Sequence, residues 1–121
     1  MRHCRLELEL AGTILVVEVP ETRMARARGL LGRSGLGPAS AMLLERTRSV
    51  HTVGMRFPIT VALLDAGFQV LEVRRLPPGR VTLPRPGARH VLECRADEDI
   101  RVGDRLRRVP RAAGPWEPGS P

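Results

Sequence analysis

The residues best suited to chemistry lie in the segment SVHTVGMRFP, residues 49–58. It holds an imidazole at His51, a hydroxyl at Thr52 and a guanidinium at Arg56, with Met55 beside them. A histidine can contact a ligand or move a proton near neutral pH, and an arginine can hold an anion. On an extended strand, His51 and Thr52 would point to opposite faces. The segment is either a ligand site or an ordinary half-buried sheet rim, and the residues leave both interpretations open.

A second group of candidates is Arg28, Gly29 and Arg33. Gly29 and Arg33 lie in the glycine-rich segment GLLGRSGLGP, residues 29–38, and Arg28 directly precedes it. Backbone N–H groups in such a segment can hold an anion. It follows a predicted helix rather than preceding one, so no helix dipole would assist, and a helix end with a turn is favoured. Glu93 alternates out of phase with Leu92 and Cys94, so we expect it on the other strand face, paired with an arginine.

Metal and nucleophile chemistry are not favoured by the spacing of the histidines and cysteines. His90 and Cys94 would stand about 13 Å apart on a strand, too far to share a zinc ion. The sequence has no Gly-x-Ser-x-Gly segment. Cys4 and Cys94 are expected to be reduced and structural. We therefore predict no metal and no cofactor, and we assign no catalytic residue.

The charge of the chain points to anionic partners. The sequence has 20 basic and 13 acidic residues, a net charge of +7, and every basic residue is arginine. This favours an anionic small molecule or an acidic protein surface as the partner. Nucleic acid is less favoured, because two Phe, one Trp and no Tyr offer few stacking platforms. The N-terminal segment does not resemble a signal peptide and no apolar stretch is long enough for a membrane span, so we expect a cytoplasmic location with no membrane partner.

The hydrophobic pattern predicts many short strands and one helix. The helix is expected over Thr22–Arg33, with Thr22 as its N-cap and Met24, Ala27 and Leu31 buried. Strands are expected at Leu6–Leu10, Thr13–Val19, Ala41–Glu45, Ser49–Val53, Ile59–Leu64, Phe68–Leu76, Arg89–Arg95 and Asp104–Val109. This predicts a mainly β fold, an antiparallel sandwich or partly open barrel with one short α-helix. We expect residues 1–109 to form a single domain and residues 110–121 to form a disordered tail.

Six segments in order resemble a family of small bacterial and archaeal proteins, domain of unknown function 192. They are RARGLLGR, AMLLE, SVHTVGMRFPITVALLD, VLEVRRLPPG, HVLE and VGDRL, and the resemblance spans about Leu6 to Val109. It implies a mainly β fold with a single helix and supplies no reaction. The sequence departs from the family pattern at Arg23, Ala25 and Thr60, where the family has a proline, an acidic residue and an aspartate. The missing acid at Thr60 leaves fewer carboxylates near His51, which weakens an acid–base role for that histidine.

These observations favour a small soluble binding or accessory domain with an Arg/His-rimmed cleft for an anionic ligand or partner. The candidate ligand-binding residues are Arg28, Gly29, Arg33, His51, Thr52, Met55, Arg56 and Glu93. One alternative is an enzyme that uses His51 with an arginine-lined anion pocket. Another is a basic protein associated with nucleic acid.

Overall fold

The fold is described from a computed structural model that covers residues 2–30, 35–36 and 40–109. Within these ranges the chain forms seven strands and one helix. In chain order they are β1 (Arg2–Leu8), β2 (Ile14–Val19), α1 (Arg23–Arg28), β3 (Ala41–Leu44), β4 (Ile59–Leu64), β5 (Val70–Leu76), β6 (His90–Arg95) and β7 (Leu106–Arg108). The helix of the described residues, α1, is not long and apolar enough to cross a membrane.

All seven strands belong to one sheet, in the order β5-β4-β6-β3-β2-β1-β7, which curls into a half-barrel. The mainly β fold with one short helix is therefore confirmed. The sheet is mixed, because β2 and β3 pair in parallel while the other neighbouring pairs are antiparallel. Parallel neighbours require a crossover connection, and here the connection between β2 and β3 carries α1. The crossover places the end of α1 next to Glu93 on β6.

The two faces of the sheet carry separate apolar clusters. Leu92 and Cys94 belong to one cluster, while Val91, which precedes Leu92 on β6, belongs to the other. Glu93 pairs in register with Met42 on β3 and Val61 on β4, and both of these residues belong to the second cluster. The expectation that Glu93 lies on the opposite face from its two neighbours is confirmed. A carboxylate therefore sits between apolar residues on a buried face.

The predicted helix is too long, and its predicted buried face is wrong. The helix ends at Arg28 and buries none of its own residues, and Met24 is 83% exposed. It ends early because Gly29 adopts a positive φ of 52°. The apolar contact is made instead by Leu30, just after the helix, which is 1% exposed. Leu31, the third residue of the predicted stripe, lies outside the described residues, as does the predicted tail over 110–121.

The strand predicted over Ser49–Val53 is also absent from the described structure. Only an isolated bridge joins His51 to Val81 there. Alternating residue types suggested a strand, but Gly54 with φ 83° and the proline at 58 let the segment turn instead. The other seven predicted strands are present within a few residues of their expected bounds.

Candidate functional site

A cleft of about 680 Å³ lies between α1, the segment after β3, and β6. Its arginines come from the helix and from the turn after β3. Its apolar wall consists of leucine, valine and methionine side chains, and its one acidic residue among the described lining residues is Glu93. The lining residues are Arg23, Arg26, Ala27, Arg28, Gly29, Leu30, Leu44, Arg46, Thr47, Ser49, Val50, His51, Met55 and Glu93.

Helix α1 brings three arginines to the cleft. Thr22 caps the helix, and its Oγ1 accepts a hydrogen bond from the Ala25 N–H at 3.0 Å. The predicted N-cap is therefore confirmed. The helix has no acidic residue in its first turn and buries no side chain, so Arg23, Arg26 and Arg28 reach solvent from a short polar element. With Arg46 they place four guanidinium groups around the cleft, against one carboxylate.

Gly29 ends the helix and lies directly against the carboxylate of Glu93. Its N–H donates to the Ala25 carbonyl at 3.0 Å, and its φ of 52° and ψ of −125° are open to glycine and strained for other residues. A Cβ at this position would stand 3.1 Å from Glu93 Oε1. Position 29 therefore requires glycine for two reasons, the backbone conformation and the close approach of the Glu93 carboxylate.

Glu93 is a buried acid with one carboxylate oxygen, Oε1, that finds no hydrogen-bond partner among the described residues. It is 2% exposed, and within the described part of the chain its Oε1 accepts no hydrogen bond. Burial raises its pKa from 4.5 to about 7. Asp104 is similarly buried, but it accepts hydrogen bonds from the backbone N–H groups of Leu10 and Arg105, each at 2.8 Å. The expected arginine partner of Glu93 is therefore not found among the described residues.

The segment that carries His51 and Met55 is fixed to the loop after β5. Thr52 is fully buried, and its Oγ1 donates to the Pro77 carbonyl at 2.7 Å and accepts from the Arg80 N–H at 2.8 Å. The backbone adds bonds from Thr52 N to the Arg80 carbonyl at 2.7 Å and from Met55 N to the Thr52 carbonyl at 3.0 Å. Thr52 thus holds its neighbours His51 and Met55 at the cleft.

The structure brings five of the eight candidate residues together at the cleft: Arg28, Gly29, His51, Met55 and Glu93. Thr52 is buried, Arg56 is exposed, and neither is among the lining residues, while Arg33 lies outside the described residues. That these residues bind a ligand stays a prediction. Sequence reasoning missed the contributions of Arg23, Arg26 and Arg46. The three helix arginines are visible as a basic segment, but no signal linked Arg46 to them.

A second recess of about 330 Å³ shares Arg46 with the cleft. Arg48, Arg89 and His90 also line it. The His90 Nδ1 accepts a hydrogen bond from the Arg46 N–H at 3.1 Å, and its ring stacks on Phe68 with centroids 4.3 Å apart. Burial lowers the pKa of His90. The arginine surface therefore continues from the cleft across the turn after β3.

The cysteines take no part in the cleft. Cys94 is buried, and burial raises its pKa to about 12, so its thiol is neutral and poorly nucleophilic. Cys4 lies on β1, which is separated from β6 by β2 and β3, and the two thiols are free. The described residues contain no group of three or more His, Cys, Asp or Glu side chains placed to hold a metal ion.

Residues 6–108 match the profile of a protein family, domain of unknown function 192, described as uncharacterized ACR. The chain belongs to this family. It is 31% identical over 80 residues to a UPF0127 protein of Pyrococcus horikoshii, covering 64% of this chain and 70% of that protein. It is also 31% identical over 81 residues to a UPF0127 protein of Thermococcus sibiricus, covering 64% of this chain and 53% of that one.

Two crystal structures share the fold of this family member. One is a protein of unknown function from Novosphingobium aromaticivorans, with a TM-score of 0.71 and 19% identity, covering 87% of this chain and 83% of that one. The other is a protein from Sinorhizobium meliloti proposed to be a transcription regulator, with a TM-score of 0.71 and 23% identity, covering 88% and 92%. At these identities the likeness concerns the fold alone.

Proposed function

We propose that this member of the family is a small binding or accessory domain of the cytoplasm whose cleft takes an anionic ligand. The observation that carries the proposal is the set of four arginines around one cleft that has a single acidic residue among its described lining residues. Guanidinium groups bind phosphate and carboxylate groups through paired N–H donors. His51 adds a further nitrogen to the same rim.

The shape of the site favours a small molecule over an acidic protein surface. The cleft volume of about 680 Å³ is in the range of small-molecule sites, which combine an apolar wall with a few polar groups. Leu30, Leu44 and Met55 provide such a wall, and each of them is buried. A flat protein partner would contact the arginines but leave this wall uncovered.

Nucleic acid is the second candidate partner. It is supported by the arginine surface that continues through Arg46 into the recess with Arg48 and Arg89. The enzyme hypothesis has less support, because no carboxylate among the described residues hydrogen-bonds the His51 imidazole to orient it.

Isothermal titration calorimetry with pyrophosphate tests the anion site. We expect the wild-type protein to bind, and Arg28→Gln and Arg46→Gln each to weaken binding by about fivefold or more, since each removes a charge-assisted contact. Arg101→Gln is the matched control, because it makes the same charge change at an exposed arginine paired with Asp99. We expect the control to leave the affinity within about twofold of wild type.

Equal losses in all three variants would indicate attraction by net charge and would contradict a cleft site. The nucleic-acid candidate is tested in parallel with duplex DNA over a salt series. Steep loss of DNA binding with salt, with no binding of pyrophosphate at the same protein concentration, would favour the second candidate over the first.

A further inference from the structure

We infer that the ligand of the cleft is bipolar: it carries a cationic nitrogen donor that meets Glu93, in addition to the anionic group held by the arginines. This inference rests on the proposed function and adds the chemistry at the far end of the ligand. The observation behind it is an unpartnered carboxylate oxygen on a side chain that is 2% exposed and lines the cleft.

The surroundings of Glu93 do not explain why an acid is kept there. Its neighbours across the sheet are Met42 and Val61, which offer no hydrogen bonds from their side chains. By contrast, the buried acid Asp104 accepts hydrogen bonds from the backbone N–H groups of Leu10, Ala11 and Arg105. A buried oxygen without a donor lowers stability, so its presence in the wall of a cleft is typical of a group that meets its partner from outside.

Gly29 supports the same interpretation. A Cβ at Gly29 would stand 3.1 Å from Glu93 Oε1, and the backbone conformation there is restricted to glycine. The helix end is therefore shaped around the carboxylate. Any side chain at position 29 would press on the oxygen that lacks a partner.

The rest of the cleft limits what the partner can be. Four arginines line the same cleft as Glu93, and they would repel a simple cation there. A molecule with an anionic group for the arginines and a cationic nitrogen for Glu93 satisfies both ends. The same cleft is also lined by Leu30, Leu44, Val50 and Met55, which suit an apolar spacer. Aminoalkyl phosphates have these three parts and serve as the probes.

The experiment compares aminoalkyl phosphates with alkyl phosphates of the same length, from ethyl to pentyl, by calorimetry at pH 8. At one or more lengths, we expect the amine to bind about tenfold more tightly than its alkyl counterpart, because a charge-assisted bond forms at Glu93. Glu93→Gln should reduce this preference to about twofold or less while leaving alkyl phosphate binding in place. Glu9→Gln, the same change at an exposed residue, should keep the preference.

Each outcome decides the inference separately from the proposed function. If alkyl phosphates bind and the amine adds nothing at any length, the inference is overturned and the anion site stands. If the amine preference persists in Glu93→Gln, Glu93 is not the receiving group and the inference is likewise overturned. If neither series binds, the proposed function fails and the inference fails with it. Circular dichroism of both variants confirms that they are folded before these comparisons are made.

Discussion

Replacing Glu93 by glutamine should remove a loss of stability that the wild-type protein undergoes as the pH rises from acidic to alkaline values. The pKa of Glu93 rises from 4.5 to about 7 on burial. Between pH 4.5 and pH 7 the Glu93 carboxyl is ionised in the unfolded chain and still protonated in the folded chain. The free energy of unfolding therefore falls as the pH rises through this range. Each pH unit of such a displacement is worth about 1.4 kcal/mol, so the loss between pH 4 and pH 8 is about 3 kcal/mol.

Glutamine cannot ionise, so Glu93→Gln should lack this loss. Urea unfolding of wild type and variant at pH 4 and pH 8 measures it, because the contributions of other carboxylates cancel in the comparison. We expect the stability difference between variant and wild type to shift by about 3 kcal/mol in favour of the variant at pH 8. The strand neighbours Met42 and Val61 are apolar, and burial is the cause of the raised pKa. A difference that does not change with pH would refute the claim that burial raises the pKa of Glu93.

Three further substitutions test the elements that position the cleft. Thr52→Val removes the hydroxyl bonds to Pro77 and Arg80, and should cost about 1–3 kcal/mol in urea unfolding; an unchanged midpoint would show that these bonds do not hold the segment. Gly29→Ala should lower the melting temperature more than Gly12→Ala, because both have positive φ but only at position 29 would the new Cβ stand 3.1 Å from Glu93 Oε1; equal effects would contradict a close approach. Thr22→Ala should cost about 1 kcal/mol through the lost cap, measured in the same way, and no loss would argue against α1 as a stable element.

The strands were predictable from sequence because their patterns are local. Ile59–Leu64 is apolar except for Thr60, and all six residues of this strand are buried, although β4 lies second from one edge of the sheet. The placement of Glu93 was also predictable, because a period of two fixes which face a strand residue occupies. Both of these inferences need only the residues of one strand.

The cleft was less accessible to sequence reasoning, because it depends on contacts between distant segments. The predicted helix was too long because its apolar residues Met24, Ala27 and Leu31 continue the helical spacing past Gly29. In the structure, Gly29 ends the helix. His51 looked like a strand residue, but hydrogen bonds from Thr52 to the loop at Pro77 and Arg80 define its segment. Those partners are 25 and 28 residues away, and no local pattern indicates them.

Amide chemical-shift mapping with pyrophosphate tests the central claim, an anion site in the cleft, most directly. Titration of the ¹⁵N-labelled protein should move the amide signals of Arg28, Gly29, Arg46 and His51 together, with one common dissociation constant. These residues come from segments that only the folded structure brings to one place. Shifts confined to arginines elsewhere, such as Arg101 and Arg107, or no saturable shift at all, would contradict the account.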